Sequence, residues 1–226
     1  MITKQASGRI STMKAGESMA TMTGTKWKLF TTAIDLFSTK GYANVGIREI
    51  ADVVGIKWPG IYNHFKSKDA FLDEAYKFYR FNFLTSCPDI DDILELIPNT
   101  PPHEIFAILP PKFPGKDIWH IMGKIILIAI EERCRDERAE DLVYELLINT
   151  TQRYISAVLN KMLELDLIES IDVEVFSLAI AAFDIYSGSR AGSTNAMPYH
   201  EWQTKRQTLF GMVRVKEQKT KKVPVN

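Results

Sequence analysis

Between Thr25 and Leu84, Gly41, Gly55 and the Pro59–Gly60 pair cut the chain into runs that have room only for small helices. Each run repeats its apolar residues at helical spacing. Trp27, Phe30, Ile34 and Phe37 mark a first helix over about 25–40, stopped by Gly41. Ile47, Ile50, Ala51 and Val54 fall at i, i+3, i+4 and i+7 and mark a second over about 47–54, broken at Gly55. The third opens at Pro59, which suits a first helical turn because its missing N–H has no partner there anyway. Ile61 and Phe65 turn inward from it, while Trp58, Tyr62, Asn63, His64, Lys66 and Lys68 crowd the other faces. Ser67 caps a fourth helix, Lys68 to about Leu84, that buries Phe71, Leu72, Ala75, Phe78 and Tyr79.

The remainder also reads as helix. Two short segments, "DDILELI" and "PHEIFAIL", are broken by Pro98, Pro101 and Pro102, and "LPPKFPG" is a loop. A helix from Asp117 to about Arg133 is apolar almost all round and is expected at the centre. Long helices follow over about 137–165 and 172–189, and a last one over about 199–213. Strand pairs, internal repeats and low-complexity segments are not found. The fold class is all-α. The polar residues 1–24 are expected to be a disordered extension, and the basic tail 214–226 to be loose.

The longest unbroken apolar run, Ile125 to Ile130, is far too short to span a bilayer, and no apolar signal-peptide core opens the chain. A soluble, cytoplasmic protein is expected, with no membrane partner. Cys87 and Cys134 form no CxxC pair and suit a reducing compartment. The formal net charge is zero. Its distribution is uneven: residues 1–68 hold ten Lys/Arg and four Asp/Glu, the remainder 18 and 24. A basic N-terminal module on an acidic body suits a polyanion.

Two short helices separated by "VVGIK" form a helix-turn-helix, whose second helix can enter the ~12 Å major groove of DNA. Gly60 lets backbone and groove approach closely. Trp58 and Pro59 can press on a thymine methyl, and Tyr62 can bond a phosphate or touch a base. His64 and Lys68 suit phosphate oxygens, and the N-terminus of the fourth helix adds its dipole. Arg48 has the fork that fits guanine O6 and N7. Lys57 and Asn63 complete the expected DNA-binding set.

"FSTKGYANVGIREIADVVGIKWPGIYNHFKSKDAFLDEA" resembles the DNA-binding domain of TetR-type transcriptional regulators, over roughly residues 26–75. The most telling pieces are "GY" after the first helix, "IREIADVVGI" and "IYNHFKSKDAF". The resemblance implies that Arg48, Pro59, Tyr62, His64 and Lys68 contact DNA. The chain departs from the family at Val45 and Gly46, where Thr or Ser is usual, and at bulky Trp58. The division implied is a helix-turn-helix domain over 25–72 and a helical effector-binding and dimerisation domain over 73–213. The function implied is a one-component regulator, a repressor, that binds double-stranded operator DNA as a homodimer and is released by a small-molecule effector.

Phe78, Tyr79, Phe81, Phe83, Phe106, Trp119, His120 and Met122, with Phe183, are candidates to line a pocket for a small hydrophobic or aromatic effector; plain core packing is the competing reading. Tyr154, Val158, Met162, Phe176, Ile180 and Asp184 are candidates for the dimer interface. Asp184 alternatively hooks a ligand or lies exposed on a turn. The rival classes are a helical-bundle enzyme and a protein-interaction module. "DIWH", Asp117 to His120, gives only one of the paired carboxylate–imidazole sets a di-iron bundle needs. Cys134, between Arg133 and Arg135, has no catalytic His that can be placed near it and is expected to be buried and structural. Neither cofactor nor metal nor catalytic residue is expected.

Overall fold

The computed structural model describes residues 22, 24–113, 115–193 and 195–216, and among these the regular structure is helical apart from one isolated bridge. In chain order the helices are α1 (Gly24–Lys40), α2 (Ile47–Val54), α3 (Asp69–Ser86), α4 (Ile90–Leu96), α5 (Pro102–Ile108), α6 (Lys116–Glu132), α7 (Glu137–Asp141), α8 (Thr151–Glu164), α9 (Val173–Ala191) and α10 (Tyr199–Phe210). The expected all-α architecture holds. Most of residues 1–24 and residues 217–226 lie outside the described residues. Met22, however, is buried in the core beside α1.

α2 shows why the expected boundaries hold. Gly55 takes φ +81°, a left-handed conformation that costs glycine little, and its N–H reaches the carbonyls of Ala51 and Asp52. Lys28 Nζ of α1 donates to Val54 O at 3.0 Å, placing a cation on the negative end of α2. Ser67 Oγ accepts from Ala70 N at 3.1 Å, the expected cap of the helix that follows.

Several expectations are corrected. The third element is a 3-10 helix, Trp58–Asn63, rather than an α-helix starting at Pro59. Pro59 and Gly60 disfavour α-helix, and the bonds Gly60 N to Lys57 O and His64 N to Ile61 O, both 2.8 Å, tighten the turn. The long helix over 137–165 divides: α7 passes through a π-helical stretch, Leu142–Thr150, into α8. Thr150 Oγ1 there donates to Glu145 O, five residues back, at 2.7 Å. α10 stops at Phe210, short of the expected 213. The start of the tail is tied down: Ile168 and Val215 form an antiparallel bridge, flanked by Glu169 N to Arg214 O at 2.8 Å and Lys216 N to Leu167 O at 3.0 Å.

Two large apolar clusters fill the molecule. One joins α1, α2, the 3-10 turn and α3 to α6, α7 and the π-helical stretch; the other joins α4 and α5 to α8, α9 and α10. As expected, α6 is central, burying Ile121, Met122, Ile125, Ile126 and Ile128. It meets α9 at a seam of glycines. A Cβ on Gly123 would collide with Gly192 N and lie 2.6 Å from Gly188 O, so the crossing admits no side chain there.

Candidate DNA interface and the cavity behind it

The 3-10 turn is anchored by Ile61 and Phe65, both buried, with the Phe65 ring stacked 3.8 Å from that of Phe71 on α3. That anchoring turns Lys57, Trp58, Pro59, Tyr62, Asn63 and His64 outward, all exposed, with Gly60 half-buried. Arg48, exposed on α2, holds its guanidinium 5.3 Å from the Trp58 ring, and Trp58 meets Tyr62 edge-on at 6.1 Å. The three form one ordered aromatic–cationic surface. Lys68 is more recessed than the sequence suggests. It is half-buried, its Nζ lies 4.1 Å from the Tyr42 ring, and burial lowers its pKa. Gly46 offers α2 no side-chain cap, and Val45 is spent on the core, so the hydroxyl usual at this place has no substitute there.

Behind this surface α3 runs into the helical body. A cavity of about 30 Å³ is lined by Tyr79 and Phe83 of α3, Trp119, Met122, Gly123 and Ile126 of α6, and Asp184, Ile185 and Gly188 of α9. Leu147, Thr151, Trp202 of α10, and Pro111 and Phe113 of the loop before α6 complete the wall. Trp119 Nε1 donates to Met197 O at 3.0 Å, and its ring lies 5.2 Å from that of Trp202. Asp184 accepts from Trp202 Nε1 at 2.9 Å and from Arg206 Nε at 3.1 Å to each oxygen. Burial pushes the Asp184 carboxyl above its usual range, against the pull of Arg206 and Trp202. Burial also drives the nearby Cys87 thiol up to about 12, leaving it an inert, protonated group.

The family model for bacterial regulatory proteins of the tetR family matches residues 29–75, the segment from α1 into α3 that builds the exposed surface. The helix-turn-helix domain belongs to the TetR family. A relative of the TetR-type domain, an uncharacterized HTH-type transcriptional regulator, YerO, from Bacillus subtilis (strain 168), is 36% identical over 80 residues. That alignment takes in 35% of this chain and 27% of the relative. The fold likeness extends further. The ketosteroid transcriptional regulator KstR2 of Mycobacterium tuberculosis superposes with TM-score 0.60 at 20% identity, over 88% of this chain and 99% of that one. The TetR family regulator PfmR of Thermus thermophilus does so with TM-score 0.58 at 17% identity, over 87% and 99%. At these identities the likeness is one of fold.

Around the TetR-type domain, the expected residues fall unevenly. Trp119 and Met122 line the cavity, as do Tyr79 and Phe83. Phe78 packs on Trp27 and Phe30 of α1, and Phe106 stacks on Phe210 at 4.8 Å, so both are core and away from the cavity. His120 Nδ1 donates to Ala191 O at 2.6 Å, which occupies it structurally; Phe183 backs the Trp119 cluster, and Phe81 is half-buried on α3. Val158, Met162 and Ile180 are enclosed in the protomer's own core, which removes them from any subunit interface; Tyr154 and Phe176 pack half-buried against the same core. Tyr154 Oη donates to Pro88 O at 3.3 Å. Asp184 lines the cavity and is held within the chain by Trp202 and Arg206, rather than lying exposed on a turn. Cys134 is exposed, not buried, because α6 ends before it. Among the described residues, no cluster of three or more His, Cys, Asp or Glu could hold a metal, and no helix is long and apolar enough to cross a membrane. Phe113, Trp202 and Arg206 escaped sequence reading: one lies in a proline-rich loop, and the others on a helix that reads as polar.

Proposed function

We propose that this chain is a one-component transcriptional regulator, a repressor, that binds operator DNA as a homodimer through the Arg48–Trp58–Tyr62 surface and releases it when a small effector enters the cavity. One observation carries the reading: α3 serves both sites. Phe71 near its start stacks on Phe65, which anchors the DNA-facing turn, and Tyr79 and Phe83 further along wall the cavity. At a ~1.5 Å rise per residue, the two ends are about 12–18 Å apart on one stiff rod. A ligand that parts the cavity walls tilts α3 and moves the turn with it. The effector shifts the equilibrium only by its differential affinity for the two states.

The partner face proposed is the outer side of α9, where Val175, Leu178 and Tyr186 stand exposed at intervals that share one helical face. The neighbouring groove along α8, lined by Gln152, Ser156, Ala157 and Asn160, leaves room for a partner helix. Two-fold pairing would set the two DNA-facing turns against successive major grooves, ~34–36 Å apart.

The test is fluorescence anisotropy with DNA from upstream of the chain's own gene, with random-sequence competitor at two salt concentrations. Competitor-resistant binding that weakens steeply with salt is expected. Arg48→Ala and Tyr62→Ala should each lower affinity roughly tenfold, corresponding to ~1–3 kcal/mol per good contact. Binding by both variants equal to that of the wild type would remove this surface from the mechanism.

A further inference from the structure

Resting on the effector reading of the cavity, we infer that the ligand is an organic cation, a quaternary or protonated amine, received by the aromatic walls and by the carboxylate of Asp184. The chemistry of the wall points that way. Five aromatic side chains meet there from four separate parts of the fold: Tyr79 and Phe83 from α3, Phe113 from the loop, Trp119 from α6 and Trp202 from α10. Aromatic faces are the negative ends of ring quadrupoles, and a set of them around one point is the arrangement that attracts an alkylammonium group.

The acidic group that lines the cavity is Asp184, paired with Arg206. Asp184 lines it with 21% of its side chain uncovered, whereas Arg206 lies 2% exposed, behind Asp184 and outside the lining. The carboxylate keeps capacity. Oδ1 takes the Trp202 bond and shares Arg206 Nε with Oδ2, so Oδ2 holds only half of a forked bond. A carboxylate has about four lone-pair sites, so Oδ2 can face a further cation.

The cavity's ~30 Å³ holds about one water, so a ligand must displace a wall. Helices form most of it; the exception is the loop carrying Pro111 and Phe113, which Tyr199 Oη fastens by donating to Pro111 O. Phe113 packs 5.7 Å from Trp119 and 6.1 Å from Tyr199, so the segment free of helical hydrogen bonds also carries one of the cage rings. Ligand entry and completion of the cage therefore involve the same side chain.

The experiment compares three ligands on the full chain by calorimetry and tryptophan emission: phenyltrimethylammonium, its neutral isostere tert-butylbenzene, and benzoate. The cation should bind roughly tenfold or more tightly than the isostere. Asp184→Asn should erase that preference, and Phe113→Leu should weaken the cation severalfold while leaving the Asp184–Arg206 pair untouched. If Asp184→Asn fails to fold, the ligand comparison and Phe113→Leu decide alone. An isostere that binds as well as the cation, or benzoate binding best, overturns the inference and leaves the cavity an effector site. No binding of any of the three at high concentration overturns the inference, while the effector reading is tested by release of operator DNA, measured separately.

Discussion

Arg206 shows how a single side chain can be hidden from sequence reading. In "YHEWQTKRQTLF" it has polar neighbours and suits an outward face, yet it is 2% exposed, with its guanidinium against the rings of Trp202 and Phe210 and its Nε on Asp184. The pairing spans 22 residues, a distance no local pattern carries. Removing one member of a buried ion pair leaves the other uncompensated. Arg206→Ala should therefore lower the unfolding free energy by roughly 3 kcal/mol, read as a fall in urea midpoint. A midpoint within error of wild type would mean that solvent reaches the pair. The exposed residues of the 3-10 turn are legible by contrast, because Ile61 and Phe65 fix which side of the turn is inward and the other side chains follow.

At the scale of elements, the spacing of apolar residues locates nearly every helix to within a residue or two. It cannot separate the 3-10 turn from an α-helix, since six residues contain too few repeats to distinguish the two periods. Nor does periodicity reveal how closely helices approach. Gly123→Ala should force α6 and α9 apart and cost roughly 1–3 kcal/mol, again by urea unfolding, because the obstructing atoms belong to backbone. A second junction joins α7 to the start of α3: Arg138 clamps Asp69 through two bonds, at 2.6 and 3.0 Å, and also holds Asp136. The Arg138 bonds keep the Asp136 carboxyl below its usual 3.8. A lowered folded-state value means the stabilisation is complete above about pH 4 and is lost as pH falls through the lowered value. Asp136→Asn should flatten that acid limb in a titration followed by circular dichroism; an unchanged limb would show that the clamp contributes nothing.

For the whole molecule, the division into a helix-turn-helix module and a helical body is readable in the sequence, but the inward and outward sides of α9 are not. α9 is apolar on more than one side, so composition cannot tell its core face from a partner face. Val158, Met162 and Ile180, candidates for the dimer interface from sequence, are buried, whereas Val175, Leu178 and Tyr186 hold the exposed side. Leu178→Glu with Tyr186→Glu should convert a dimer to monomer in sedimentation velocity and weaken operator binding with it. A double variant that stays dimeric would move the interface elsewhere.

The glycine seam divides the cavity wall into two classes with different freedom to vary. Phe113, Trp202 and Tyr79 are side chains that can be exchanged for others of similar bulk, which would reshape the cavity. Gly123 belongs to the same wall yet resists exchange, because a Cβ there meets backbone of α9 and of Gly192 and so sets how α6 lies on α9, whereas a Cβ on Gly188 meets only the end of the Ile126 side chain. α6 in turn is tied to α1 by Lys124 on Asp35 at 2.6 Å. Under the effector reading proposed above, mutation of the exchangeable rings would change ligand preference while the α6–α9 crossing that relays binding stays constant.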